Sequence, residues 1–459
     1  MNIPTYTYGQ LPVQPWEYPS VVLFFILAFA IGLHLRRQHR HDPSWRFFIP
    51  GLFVKLGGGV FFGLIYTLYY SGGDTTSYFE SALSFTNLLF ESPLRFSEAL
   101  AGGGTLEIKS LFDSSTGSPL GYMFFDPKAR TVIKLLIPFV VLGGKSYFLT
   151  TMWLSLVTYS GLWRLYRVFV EHFPHLYKYL ALGILFMPSV AFWGSGILKD
   201  SFTLAATCYF IVGTNNFVKS RGKNIWSVIV MMVSGWIVIS IKPYILLILL
   251  PGTLVWYFYQ RIRNIRNAYF RYIMVPFIYA IVLIGSFVLL TQLGSSLGRF
   301  APNRALETAV IIQNDLKQEY YKGNSFDIGE FDASLNGIAS KFFPAVSAGL
   351  FRPFIWESKN IVMVLSGLEN LFILIITLIV LLTLKPGIIR KVIGEHPILL
   401  YSLLFTVLFA FMIGLTTSNF GALVRFKIPL IPLFMATLMV LYGHVDIERR
   451  NRKRFKPQT

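Results

Sequence analysis

The chain is short of charge, has a single cysteine and lacks any nucleotide-binding loop. Charged residues make up 14% of its 459 positions and hydrophobic ones 54%. An average soluble domain is about 25% charged, so a soluble chain of this size could not solvate its surface. Cys208 stands alone, which excludes an intrachain disulfide. No Walker-type loop of the pattern Gly-x-x-x-x-Gly-Lys-Ser/Thr is present, which argues against ATP-driven transport. The sequence contains no His-Glu-x-x-His, no Cys/His cluster and no Asp-x-Asp pair suited to the metal of a sugar nucleotide. Acidic residues are also scarce, 22 against 41 Lys+Arg, leaving a net charge of +19. In a membrane protein that excess belongs to cytoplasmic loops, and nucleic acid is not an expected partner.

What is present is a series of apolar blocks, each long enough to cross about 30 Å of hydrocarbon in roughly 20 residues. Backbone groups in lipid must be satisfied within the segment, so the blocks are read as helices. Spans are expected near 18–35, 46–70, 146–168, 177–197, 200–217, 225–241, 244–259, 271–292, 360–384, 397–415 and 424–443. The segment 131–143 is apolar but short, which favours a re-entrant or interfacial helix. If it does not cross, the strongly basic stretches 36–46, 164–178, 219–223, 261–271, 385–391 and 449–456 share one side. The expectation is therefore an all-α polytopic transmembrane bundle of about 11 spans, N-terminus outside and C-terminus inside. The first 20 residues contain no Lys or Arg, so no removable signal peptide is expected.

The whole chain, 1–459, reads as one transmembrane domain with a basic cytoplasmic tail at 444–459. Two long loops fall on the outer side. The first, 71–145, has helical patches at 76–90 and 131–143. The second, 291–359, contains ALETAVIIQNDLKQEYYKG, whose apolar spacing suits an amphipathic helix. Their aromatic residues, Tyr78, Phe79, Phe124 and Trp356 among them, argue for order. Lys55 lies within the second span and is expected to snorkel, and Gly57, Gly58 and Gly59 beyond it suggest close helix packing.

Three constellations on the outer side could carry chemistry. In GGDTTSYFES, Asp74 is either an N-cap or a carboxylate held above the bilayer, with Tyr78 and Ser81 on its face and Glu80 pointing elsewhere. In MPSVAFWGSGILKDSF, Lys199 and Asp200 follow a helix break; they are a snorkelling lysine and a cap beside an interfacial Trp193, or Lys199 is a cation aimed at a lipid phosphate. In NFGALVRFKIPLIPLF, Arg425 and Lys427 open the last span. Lys242 and Arg352, each followed by proline, add further outer cations. Arg offers phosphate a bidentate fork and Lys a point charge. Each cation could equally bind ordinary lipid headgroups. All seven histidines lie near the inner side, so outer-face proton transfer would fall to Asp or Glu.

At Asp74 with Tyr78, the PSVAFWGSGILKD turn and the GALVRFKIPLIP segment, the chain resembles bacterial integral-membrane glycosyltransferases of the GT-C kind and related polysaccharide-polymerase-like proteins. The resemblance implies a bacterial inner-membrane enzyme of cell-surface polysaccharide or glycoconjugate synthesis. Its donor would be a polyprenyl-phosphate- or diphosphate-linked sugar or glycan. On that likeness Asp74 is the catalytic carboxylate. Tyr78, Lys199, Asp200, Lys242, Arg352, Arg425 and Lys427 bind the lipid-linked substrate, and surrounding membrane lipids are the other partners. It implies no certain cofactor and leaves room for a divalent metal. In that family the acidic residue usually follows the first helix, whereas here another helix comes first. The competing expectation is a transporter or lipid-linked-glycan flippase, which would need charge deep in the spans.

Overall fold

The computed structural model describes residue 11 and residues 13–263, 325–329, 335–359 and 361–454. The expected amphipathic helix within the second loop and the expected span at 271–292 lie outside them. Described helices, in chain order, are α1 (Glu17–Gln38), α2 (Phe48–Leu64), α3 (Asp74–Glu91), α4 (Pro93–Ala101), α5 (Leu106–Lys109), α6 (Gly121–Phe125) and α7 (Pro127–Leu142). There follow α8 (Tyr147–His172), α9 (Tyr177–Leu185), α10 (Pro188–Phe192), α11 (Lys199–Lys219), α12 (Ile225–Ile241) and α13 (Pro243–Arg263). The last are α14 (Leu335–Ser340), α15 (Phe342–Phe351), α16 (Ile361–Thr383), α17 (Pro386–Glu395), α18 (Pro397–Thr416), α19 (Phe420–Phe426) and α20 (Ile431–Arg454). Among the described residues there is no strand, only an isolated bridge between Ser325 and Asn419.

Among the described residues, four helices are long and apolar enough to cross a membrane: Glu17–Gln38, Pro43–Tyr69, Val362–Thr383 and Pro397–Thr416. Two bent pairs raise that to as many as six: Pro127–Leu142 with Tyr147–His172, bent by 109°, and Phe420–Phe426 with Ile431–Asp446, bent by 70°. The continuous span expected at 177–197 is instead two short helices, α9 and α10, followed by a turn. Pro188 cannot donate to the preceding turn, and the break falls just before it. The expected basic tail at 444–459 is, through Arg454, a continuation of α20.

The chain divides into two compact units. The first comprises 1–165, 190–209 and 233–242; the second comprises 166–189, 210–232 and 243–459.

In the first unit the loop 71–145 is folded. Phe79, Ala82, Phe85 and Leu88 of α3 pack with Val132, Ile133, Leu136 and Val140 of α7, and Phe112 and Phe124 close the cluster. Apolar residues at three- and four-residue intervals on both helices make this face. Beside it, α2 carries Lys55, which does not snorkel. Its side chain is buried, and Nζ donates to the carbonyls of Val190 and Gly194 at 2.7 Å each. The lysine thus satisfies carbonyls that the helix break leaves open. A Cβ at Gly58 would lie 2.2 Å from the Ala191 carbonyl oxygen, and one at Gly59 would lie 2.4 Å from Ser155 Oγ, so the close packing expected there holds for these two but not for Gly57, which faces open space.

In the second unit α15 packs on α18, α18 on α13, and α9 on α20. The α15–α18 approach needs glycine on both sides. A Cβ at Gly349 would lie 2.2 Å from Ala410 O, and one at Gly414 would lie 1.9 Å from Ala345 O. Tyr179 donates to Asp446 at 2.7 Å, joining α9 to the lower turns of α20.

Candidate functional site: a carboxylate pocket on α3

A pocket of about 380 Å³ opens in the first unit. It is walled by the segment before α1, by one face of α3, by the loop 115–120, and by Lys145 and Tyr147. Glu80, Ser84 and Asn87 stand at i, i+4 and i+7 and so form one stripe of α3. The neighbouring Phe79 and Leu83 supply apolar wall, as do Leu11, Val13 and Trp16.

Most polar groups here are held in place. Asn87 donates to Thr116 O at 3.0 Å and accepts from Lys145 Nζ at 2.8 Å. Lys145 also lies 5.2 Å from the Phe90 ring. Its backbone, at φ 65°, closes the turn from α7 into α8. Glu17 is buried and accepts from Gln14 N at 2.9 Å and from Ser146 Oγ. The rim loop is fixed by Asp113, whose Oδ1 accepts from Ser115 N and Thr116 N at 3.0 and 3.2 Å. Hydrogen bonds from Ser115 and Arg95 hold that carboxyl well below the usual range.

Glu80 differs from these. It is half-buried, and among the described residues no hydrogen bond reaches its buried Oε1. Burial raises its carboxyl above the usual value, because the charged form has lost water. A carboxylate tuned upward inside a concave pocket is the arrangement proton-transfer sites use. The remaining walls offer an ammonium, an amide, hydroxyls and the exposed Trp16 ring, a set suited to a polyhydroxylated ligand.

The residues expected from sequence fall into both units. Asp74 is exposed at the first position of α3. The cap position belongs to Gly73, whose N–H and carbonyl are both engaged by the Thr76 hydroxyl, at 3.1 and 2.8 Å. Tyr78 and Ser81 are buried in the α3 core face, Ser81 Oγ accepting from Leu120 N at 3.2 Å. Lys199 pairs with Asp126 at 2.9 Å. Asp200 and Lys242 form a buried ion pair. Trp193 is buried against Phe62 and Tyr66 rather than interfacial.

In the second unit Arg352 lies 3.5 Å from Glu357 and 5.1 Å from the Phe326 ring. Lys427 is buried and donates to Arg352 O at 3.0 Å and to Asn370 Oδ1. Arg425 sits partly buried on α19. Glu369 accepts from Ser189 N and Oγ at 2.6 and 2.5 Å. Lys199, Asp200, Lys242, Arg352 and Lys427 thus each have a protein partner. Among the described residues no group of three His, Cys, Asp or Glu side chains could hold a metal ion.

Sequence reasoning passed over Glu80 and Asp126. The Asp-Pro pair before α7 is an N-cap signal, and Asp126 does accept from Lys128 N and Ala129 N at 3.1 and 3.2 Å. For Glu80 the signal was the polar stripe 80, 84, 87.

Comparison with protein-family models, curated proteins and solved structures returned no match.

Proposed function

We propose that this chain is a membrane glycosyltransferase that moves a sugar or glycan from a polyprenyl-phosphate- or diphosphate-linked donor to an acceptor at the outer face of a bacterial inner membrane. The observation that carries the reading is Glu80, a half-buried carboxylate with an oxygen that no hydrogen bond reaches among the described residues, in a pocket of about 380 Å³. Glu80 takes the proton of the acceptor hydroxyl as that oxygen attacks the sugar C1, and the bond from C1 to the phosphate breaks. A carboxylate with a raised pKa is the better base for this step. Lys145 and Asn87 orient the acceptor, and Trp16 lies against it. The Lys145 ammonium on the pocket wall is the cation placed to offset the charge of the departing phosphate. Asp74, exposed at the head of the same helix, is the second carboxylate to test.

The sidedness belongs to this proposal: eleven spans, N-terminus outside and C-terminus inside, with 127–142 as a segment that does not cross. The sharp bend between α7 and α8 supports it, as does the gathering of basic stretches on one side. The transporter reading draws less support, because Lys55 and Glu369, the deep charges it would use, are each held by two hydrogen bonds.

The test is glycan transfer by the full chain in membranes supplied with polyprenyl-diphosphate-linked sugar. Glu80→Gln is expected to lower the rate about 10²- to 10⁴-fold, the usual worth of a positioned general base, while leaving donor retention intact. An unimpaired Glu80→Gln variant would remove Glu80 from the chemistry. The same result in Asp74→Asn would remove Asp74.

A further inference from the structure

A second cavity of the first unit has a more apolar lining than the Glu80 pocket. It holds about 430 Å³ and runs along α1 beside α2 and α8. Phe24 and Trp153 stand at one end, edge to face with ring centroids 5.1 Å apart. Leu35, Trp45, Trp163 and Arg164 line the other. From Phe24 to Leu35 an α-helix rises about 16 Å, at roughly 1.5 Å per residue. That is close to half of a hydrocarbon core about 30 Å thick, the depth of one leaflet. Leu27 and Ile31 on the wall are 53% and 62% exposed, so the groove opens sideways.

Its two ends differ in charge. The Phe24 end has none among its lining residues. At the Leu35 end, Arg36 and Arg37 close α1, Arg40 follows, and Arg164 lines the groove itself. The acidic residue of this stretch, Asp42, accepts from Ser44 N at 3.0 Å and Ser44 Oγ at 2.6 Å. The Arg164 guanidinium lies 5.5 Å from the Tyr209 ring and is exposed. Trp45 and Trp163, 5.1 Å apart, sit beside Tyr159 at this level, as aromatic residues do where hydrocarbon meets headgroups.

We infer that the groove binds one anionic glycerophospholipid of the basic-side leaflet, an acyl chain lying in it and the headgroup phosphate resting on Arg164 and the arginines ending α1. The chain matches the lining, and one leaflet matches the length. The phosphate matches the fork of a guanidinium. A zwitterionic lipid offers the same chain, but its own cation offsets the phosphate, so it is held less. This site is separate from the Glu80 reading and stands or falls without it.

The test is native mass spectrometry of the detergent-solubilised full chain with added phosphatidylglycerol or phosphatidylcholine, with cross-linking by phosphatidylglycerol carrying a photoreactive acyl chain. Phosphatidylglycerol is expected to be retained preferentially and to label peptides of α1 and α8. Arg164→Ala should weaken it about fivefold, the worth of roughly one basic residue near an anionic surface, and leave phosphatidylcholine unchanged. Arg164→Lys should keep most of the preference. Ile31→Trp, filling the mouth from an exposed position, should weaken both lipids. Equal retention of the two lipids would overturn the proposal, as would an unaltered Arg164→Ala or labelling confined to other helices. Displacement of phosphatidylglycerol by a lower concentration of polyprenyl phosphate would assign the groove to an isoprenoid and overturn it too. If Arg164→Ala fails to fold, the labelled peptides and Ile31→Trp decide the matter.

Discussion

Single charged residues here hold the backbone together where helices break. Lys55 is the clearest. A lysine two turns inside an apolar block reads from sequence as a snorkeller, because nothing local shows that a partner helix ends beside it. The carbonyls it meets belong to Val190 and Gly194, more than 130 positions away. Lys55→Met keeps the length of the side chain and removes both donors. It leaves two buried carbonyls unpaired, at about 1–3 kcal/mol each before relaxation. A loss of roughly 2–4 kcal/mol is expected, read as a lower melting temperature and faster proteolysis between α10 and α11. Unchanged stability would mean that water reaches those carbonyls. Asp200 and Lys242 follow the same logic. Lys242 resembles a ligand for phosphate when read alone, and its pairing with Asp200 across 42 residues is a property of the fold.

Among elements, α3 shows best what the sequence could and could not disclose. Its helical character, its start near Asp74 and its amphipathic pattern were legible. The choice of face was not. The stripe 74, 78, 81 and the stripe 80, 84, 87 have the same spacing and similar polarity. Burial of Tyr78 and Ser81 on the side of α7 assigns the first stripe to the core, apart from the exposed Asp74, and the second to the pocket. Because α7 supports this face, its cap is a point at which the site can be loosened without touching it. Burial alone would raise the Asp126 carboxyl, but the Lys199 ammonium and two backbone N–H groups outweigh it and hold the carboxyl below its usual value. A depressed folded-state pKa stabilises the protein above the unfolded value, about 3.9, and that contribution is lost as pH falls through the folded value. Asp126→Asn keeps the cap and removes the charge. It should cost no more than about 1 kcal/mol at neutral pH, since the pair with Lys199 is partly exposed, and the difference from wild type should vanish in acid. Asp126→Ala should cost about 0.5–2 kcal/mol more at every pH, through the lost cap. Thermal melts from pH 7 down to pH 3 separate the two. A deficit in Asp126→Asn that persists in acid would show that the pair with Lys199 is not its source.

At the scale of the molecule, apolar composition made a helical membrane protein legible, and the long apolar helices agree with it. Span count was not legible in the same way, because a hydropathy block does not say whether its helix is continuous. The block at 177–197 is broken at Pro188, and the block at 131–143 leads into a bend. Each such break can alter the parity of every later loop, so the side assigned to the basic stretches, and through them to α3 and its pocket, depends on segments far from α3. The proposed topology therefore has a direct consequence. Cysteines placed singly at Ser118 on the pocket rim and at Ser220 between α11 and α12, in a Cys208→Ser background, should respond oppositely to a thiol reagent that does not cross the membrane. Ser118→Cys should be labelled in intact cells, and Ser220→Cys after the membrane is opened. The reverse pattern would put the Glu80 pocket on the cytoplasmic side, where an outer-face acceptor could not reach it. Labelling of both in intact cells would mean that an odd number of crossings does not separate them, and the eleven-span reading would fail with it.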